Sequence, residues 1–363
     1  MAKTNDLTVF IGRFSPFHNG HAQVLFEALS SSKAVLVLIG SARQARTTKN
    51  PFTYDERKSM IEEWAKGLQL SNYTLLFAPL QDHPYNDQAW IRGVQDAVDT
   101  AKSRLADKIG LNPVVTLTGA DRDQSTWYLN AFGDLFKKQF VEEDSSFSLS
   151  ATQVREKMFR QEQVSGPDSL SSVREMVPRT TLSFLQNFLS TQQYSDLCKE
   201  YSYIEKYKKA FEKAPYPVSI QTVDTVVIQS GHVLVIVRDN FPGKGLWALP
   251  GGHLDVPKNE RLLTAAIREL EEETKIEMST AQLYGSVRSK ECFDDPNRSL
   301  KGRVITMAYL LKLNDSKSLP KTKPQRGEVK SIMWLPINEA LNNPEMWFDD
   351  HYHILTTMYS RLF

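Results

Sequence analysis

The segment Leu7-Thr8-Val9-Phe10-Ile11-Gly12-Arg13-Phe14-Ser15-Pro16-Phe17-His18-Asn19-Gly20-His21 decides the fold of the first half of this chain. Its first six residues are dense in β-formers and end on glycine, so they read as a buried strand. The next nine lead through a proline-containing turn into a helix predicted over residues 21–30. That unit recurs. Residues 33–39, 73–78 and 113–117 predict further buried strands, and residues 54–66 and 88–106 further helices. Such alternation predicts a parallel sheet with helices on both faces. Ligands of these sheets bind beyond the carboxyl ends of the strands, which sets the loops after Gly12, Gly40, Ala78 and Gly119 along one functional edge.

A length of 363 residues predicts at least two domains, and 41% hydrophobic content supplies apolar material for a core in each. Lys and Arg number 44 against 43 Asp and Glu, a balance without the electrostatic footprint of duplex DNA or of an anionic membrane surface. Two distant cysteines, Cys198 and Cys292, cannot build a disulfide framework or a thiolate metal site and point to a reducing compartment. The apolar run 34–39 is too short to span a bilayer, and residues 1–6 lead into a strand without a signal-peptide core. A soluble, cytoplasmic protein is expected. A homo-oligomer stays open as an alternative to a monomer.

Residues 163–169 read as a loop, and residues 181–189 and 194–211 as helices. The run Lys206-Tyr207-Lys208-Lys209 is short and flanked by Glu205 and Glu212, so it reads as a solvated helix face. Pro215-Tyr216-Pro217 then punctuates the chain. The expected organisation is a first domain over 1–185, a helical linker over 186–214 and a second domain over 215–363.

In the second domain, residues 222–229 and 232–238 predict paired strands around Ser230-Gly231. After Gly245-Leu246-Trp247-Ala248-Leu249-Pro250-Gly251-Gly252 comes a predicted helix from about residue 260 to residue 274. On it Glu269, Glu272 and Glu273 stand at i, i+3 and i+4 and share one face. Carboxylates held so close repel unless a hard cation sits among them, and an all-oxygen set suits Mg²⁺, with Mn²⁺ as an alternative. Such an ion would neutralise diphosphate oxygens and activate a water for attack on phosphorus. Arg268 can pair with Glu272 one turn on. An acidic surface helix is the plain alternative; Gly251-Gly252 ahead of it and Glu260 at its start argue for a site.

In the first domain, His18 and His21 flank a helix start, where free N–H groups favour a triphosphate. Gly20 allows close backbone approach, and the imidazoles can donate to phosphate oxygens as charge develops. Farther on, Ser150 is a natural N-cap, Thr152 adds a hydroxyl, and Arg155 can project toward the β- and γ-phosphates. Thr53 and Glu56 form a capping box and read as structural. His351 and His353 lack an evident third ligand and read as packing.

The second-half spacing resembles the Nudix box. The resemblance implies that Glu269, Glu272 and Glu273 bind metal, that Gly252 brings its backbone to that metal, and that Glu260 is the earlier box glutamate. Three departures stand out: seven residues rather than five separate Gly252 from Glu260, Asn259 replaces a glycine, and Lys275 replaces a glycine expected to be left-handed. Glu328, before a strand predicted over 331–335, is a candidate general base by the same resemblance. Residues 242–252 and 298–303 are similar to Nudix enzymes acting on ADP-ribose, which nominates Arg298 and Arg303 as substrate ligands.

The histidine and Ser-x-Thr-x-x-Arg motifs resemble the nucleotidyltransferase superfamily, with its Rossmann-like parallel sheet. Gly12, Arg13, Phe14, His18, His21, Ser150, Thr152 and Arg155 are then the expected ATP contacts. Residues 40–43, 50–57, 85–90 and 119–123 look like nicotinamide-mononucleotide adenylyltransferases of the archaeal type. That likeness implies Trp90 stacking on nicotinamide, Asn86 on its carboxamide, and Arg43 and Asp121 on the acceptor. Together the two halves resemble the bifunctional nicotinamide-mononucleotide adenylyltransferase/Nudix ADP-ribose pyrophosphatase family, whose second domain is an α/β/α fold with a mixed sheet. The implied ligands are ATP, nicotinamide mononucleotide, NAD⁺ and ADP-ribose, with no nucleic acid and no membrane. Two alternatives stay open: another dinucleotide in the second site, or a non-catalytic ADP-ribose sensor.

Overall fold

The computed structural model describes residues 4–70, 72–119, 128–141, 150–160 and 167–363. The chain divides into two compact units, Met1–Cys198 and Lys199–Phe363. Among the described residues no helix is long and apolar enough to cross a membrane.

The first unit runs β1 (Asn5–Gly12), α1 (Asn19–Ser31), β2 (Ser32–Ile39), α2 (Tyr54–Lys66), β3 (Leu75–Pro79) and α3 (Asp87–Arg104). It continues through α4 (Ala106–Ile109), β4 (Val115–Gly119), α5 (Tyr128–Ala131), β5 (Lys137–Phe140), α6 (Ala151–Arg160) and α7 (Arg179–Phe188), and α8 (Gln192–Lys209) begins in the first unit and ends in the second. The sheet is wholly parallel, in the order β3-β2-β1-β4-β5. Chain order reverses beside β1, so the crevice between β1 and β4 is the switch point at which such sheets take ligands. Alternation sorts the two faces of β1. Leu7, Val9 and Ile11 enter a core with Val94, Val98 and Ala101, the buried stripe of α3. On the other face the Thr8 and Ser32 hydroxyls hydrogen-bond at 2.6 Å, and Phe10 meets Phe14 edge-on at 5.0 Å.

Local chemistry explains the helix ends. Thr53 and Glu56 cap α2 reciprocally, and Arg46 grips Glu56 with two 2.8 Å hydrogen bonds. The helix expected over 88–106 breaks at Leu105 and restarts as the single turn α4. Part of the expected loop 163–169 is a 3₁₀ helix, Pro167–Val173. β5 is an edge strand with exposed lysines, which discourage further pairing but also hide the strand from hydropathy patterning.

The second unit holds β6 (Ser219–Gln229), β7 (His232–Arg238), β8 (Trp247–Ala248), β9 (Gly251–His253), α9 (Leu262–Thr274) and α10 (Thr280–Gly285). Then come β10 (Val287–Phe293), β11 (Arg303–Lys312), β12 (Val329–Pro336), α11 (Ile337–Asn342) and α12 (His351–Ser360). Its mixed sheet follows the order β10-β11-β6-β7-β12, with β8 on β7, β9 on β6, and β11–β6 the parallel pair. Ser230 and Gly231, both at positive φ, make the tight β6–β7 hairpin. Ala266, Ile267 and Leu270 of α9 pack on Val223, Val227, Leu234 and Leu311, each large side chain contributing roughly 1.5–3 kcal/mol. Ile354, Leu355 and Met358 of α12 are fully buried, and α12 packs on β10 and β11.

Candidate active sites

The chain leaves β1 through Phe14, which sits at φ +52° and lays its ring so close to Gly12 that a Cβ there would stand 2.8 Å away. Beyond it His18 is the N-cap of α1. His21 N–H donates to His18 Nδ1 at 3.4 Å, and His18 N–H donates to His21 Nδ1 at 3.3 Å. A nitrogen that accepts carries no proton, so both rings bear theirs on Nε2. The rings stack at 3.6 Å, with Phe17 against His21 at 5.9 Å and Phe14 edge-on at 4.9 Å. Two rigidly held Nε2–H donors at a helix N-terminus suit phosphate oxygens.

Arg155 is buried. Its guanidinium donates to Ser15 O at 2.7 Å and to Thr152 Oγ1 at 2.9 Å, which ties α6 to the turn before His18. Burial, with Arg13 nearby, pulls it down to about 10. Ser150 Oγ accepts from Gln153 N–H and caps α6. Arg57, which the sequence did not single out, is fully buried and donates to the carbonyls of Arg13, Gly40, Ser41 and Thr53. It binds the loops after β1 and β2 to α2. The available signal was a lone Arg in register with Met60 and Ile61 on the buried face of α2.

Asn86 caps α3 by accepting from Ala89 N–H at 3.0 Å, so its amide NH₂ remains the donor. Trp90 is half-buried and packs against the sheet core and Phe132 at 6.3 Å. Arg43 is exposed. Asp82, also not singled out, accepts from the Ser41 N–H and hydroxyl and from Gln44, joining the loops after β2 and β3. Asp121 lies outside the described residues.

In the second unit Arg268 organises the acidic helix. It donates to both oxygens of Glu260 at 2.8 and 2.9 Å, to Glu269 at 2.9 Å, to Glu272 at 3.0 Å and to His253 O at 3.0 Å. Glu273 is buried and accepts from Gly251 N–H at 2.9 Å. Burial pushes its carboxyl up to about 8 against that hydrogen bond, and Glu269 and Glu328 add repulsion. Glu269 is raised by burial too, with Glu272 and Glu328 adding to it. Glu328 adds to the repulsion at both carboxylates, and its carbonyl accepts from Asp239 N–H at 3.0 Å.

These residues fit a hard divalent ion. The oxygens belong to carboxylates whose mutual repulsion a cation would relieve, and a Cβ on Gly252 would lie 2.6–2.8 Å from the Glu269 carboxylate, filling the cradle. Among the described residues no three acidic, His or Cys side chains are gathered as a ready-made metal cluster, and Arg268 pairs with Glu269 and Glu272. His351 is buried, and its Nδ1 accepts from Leu249 N–H at 3.0 Å. Asn259 and Lys275, the two replaced glycines, are both left-handed, at φ +51° and +44°. Arg298 forms a buried bidentate pair with Asp350, and exposed Arg303 donates to Asp294 O.

A cytidylyltransferase-like family model matches residues 9–157 and a NUDIX domain model residues 219–358. The crystal structure of a bifunctional NMN adenylyltransferase/ADP ribose pyrophosphatase from Francisella tularensis, complexed with AMP and a Mn ion, is 32% identical, with a TM-score of 0.84 and 99% of each chain covered. The chain belongs to this bifunctional family. A nicotinamide/nicotinic acid mononucleotide adenylyltransferase from Acinetobacter baylyi is 31% identical over 202 residues, 54% of this chain and 93% of that protein. An ADPR responsive transcriptional repressor from the same organism is 28% identical over 156 residues, 42% of this chain and 58% of that protein. The bifunctional family thus accounts for both units, an α/β parallel-sheet domain followed by a mixed-sheet Nudix domain.

Proposed function

We propose that this protein makes NAD⁺ and pyrophosphate from ATP and nicotinamide mononucleotide in its first unit, and hydrolyses ADP-ribose to AMP and ribose 5-phosphate in its second. The observation that carries the reading is the presence in one chain of a rigid His18–His21 donor pair at a sheet switch point and of Glu269, Glu272 and Glu273 beneath Gly251-Gly252.

In the first unit a phosphate oxygen of the mononucleotide attacks the α-phosphorus of ATP in line, and pyrophosphate leaves. No protein nucleophile is needed, so the work is positioning and charge stabilisation. His18 and His21 donate from Nε2 to phosphate oxygens as charge builds, and Arg155 adds a fixed cation. Gly12, Arg13, Phe14, Ser150 and Thr152 line the ATP; Trp90, Asn86, Arg43 and Asp121 receive the acceptor, with nicotinamide's positive charge over the Trp90 ring.

In the second unit Glu269, Glu272, Glu273 and the Gly252 backbone would hold a divalent ion, Mg²⁺ in this reading, which would supply charge neutralisation at the diphosphate and activation of the attacking water. Water oxygen bonds to one phosphorus, the bridging P–O bond breaks, and Glu328 is the candidate base that takes the proton. The three glutamates favour cleavage over mere sensing. The two-cysteine composition supports residence in the cytoplasm.

Chromatography of reactions run with Mg²⁺ tests the reading. Wild type forms both NAD⁺ and AMP. His18→Ala loses NAD⁺ formation by about 10²-fold or more and keeps ADP-ribose hydrolysis, and Glu272→Gln does the reverse. Neither product from wild type sinks the proposal; joint loss in either variant sinks the division into two independent sites.

A further inference from the structure

The C-terminal half of α8 belongs with the second unit. Buried Glu200 accepts from Gly243 N–H at 2.9 Å. Gly243, at φ +75°, lies so close to Phe348 that a Cβ would stand 2.2 Å from its ring. Phe348 in turn carries the Arg238 guanidinium 4.1 Å from its centroid. Arg238 spends one donor, Nε, on Pro242 O at 3.0 Å; its Nη groups make no hydrogen bond or ion pair among the described residues. Lys301 stands over the Tyr207 ring at 5.4 Å, and its ammonium makes no hydrogen bond or ion pair among the described residues.

Both cations are substantially desolvated. Burial pulls the Lys301 ammonium and the Arg238 guanidinium below their ordinary ranges, Asp349 opposing in each case. Arg238 also feels Glu273 and Tyr203, and Lys301 stands over Tyr207 of α8. On α8, Tyr203 stacks on Tyr207 at 6.4 Å and remains 42% exposed. A cation held out of water with donors unspent is costly unless an anion completes it, and exposed Tyr203 stacked on half-buried Tyr207 offers an aromatic surface beside it.

Resting on the hydrolase reading above, we propose that Arg238 and Lys301 grip the phosphate oxygens of a nucleoside diphosphate derivative while Tyr203 and Tyr207 receive its base. The helix expected to be only a connector then supplies specificity: a substrate needs an aromatic base on one side of the diphosphate, and a sugar diphosphate without a base binds poorly.

The test uses the full-length protein, with ADP-ribose as probe in both calorimetric titration and steady-state hydrolysis. Lys301→Gln and Tyr207→Leu weaken binding and raise KM about ten-fold, with kcat little changed. Lys301→Arg restores most of the affinity, which a merely misfolded site would not allow. NAD⁺ formation and the melting profile stay at wild-type values. Binding and KM within two-fold of wild type in both loss variants overturn the subsite. Wild type that binds ADP-ribose without cleaving it refutes the hydrolase reading alone, and the subsite is then judged on the binding constants.

Discussion

Replacing Arg298 by methionine asks whether this residue serves substrate or structure. Its two contacts to Asp350 are both 2.8 Å, and both side chains are only 5% exposed. Methionine keeps an apolar stem but deprives a buried carboxylate of its guanidinium, a loss of about 3–5 kcal/mol. For a domain of this size each kcal/mol moves the melting temperature by about 2–4 °C, so the second unit should melt about 6–20 °C lower. Differential scanning calorimetry of the full chain reads this directly. Adding Asp350→Leu should recover most of the loss, because an apolar pair of similar volume is close to neutral where a half-broken ion pair is not. An unchanged melting profile with a raised KM for ADP-ribose would refute the reasoning and return Arg298 to the substrate contacts that its motif implies.

Lys275→Gly should stabilise the second unit by up to about 1 kcal/mol, since Lys275 ends α9 at φ +44°; a lower melting temperature would contradict that. Gly252→Ala should abolish ADP-ribose hydrolysis and spare NAD⁺ formation, because the new methyl falls within 2.6–2.8 Å of the Glu269 carboxylate, and retained hydrolysis would remove Gly252 from the site. Burial holds His351 at about 3 against an ordinary 6.5. The unfolded chain therefore takes up this proton first, and stability is lost by about 1.4 kcal/mol per pH unit as pH falls from about 6.5 toward 3, with no contribution above that window. His351→Gln keeps an acceptor for Leu249 N–H and removes the titration, so the urea-midpoint difference from wild type should change between pH 7 and pH 5. A constant difference would exclude the effect.

Much of this was legible because strongly periodic segments leave few alternatives. The β1 and β2 runs, the Thr53–Glu56 cap and the shared face of Glu269, Glu272 and Glu273 follow from local spacing alone. Even the two replaced glycines kept the left-handed geometry that their positions demand. What sequence could not show was partnership across long separations. Arg298 and Asp350 are 52 residues apart, and nothing local distinguishes a guanidinium destined for a buried carboxylate from one facing substrate. Arg57 ties loops together through backbone carbonyls, which carry no sequence signature, and Asp82 does so through Ser41 and Gln44 of a distant loop. The lysine run of α8 masked Tyr203 and Tyr207, whose use depends on Lys301 arriving from a distant loop.

The reciprocal bonds between His18 and His21 have a consequence for how this site can vary. Each imidazole satisfies the backbone N–H of the other's residue, so substituting one removes a phosphate donor and also uncaps the helix start beneath its partner. The two positions are therefore one unit of variation. A double-mutant cycle across them should be strongly non-additive, with the second substitution costing far less than the first.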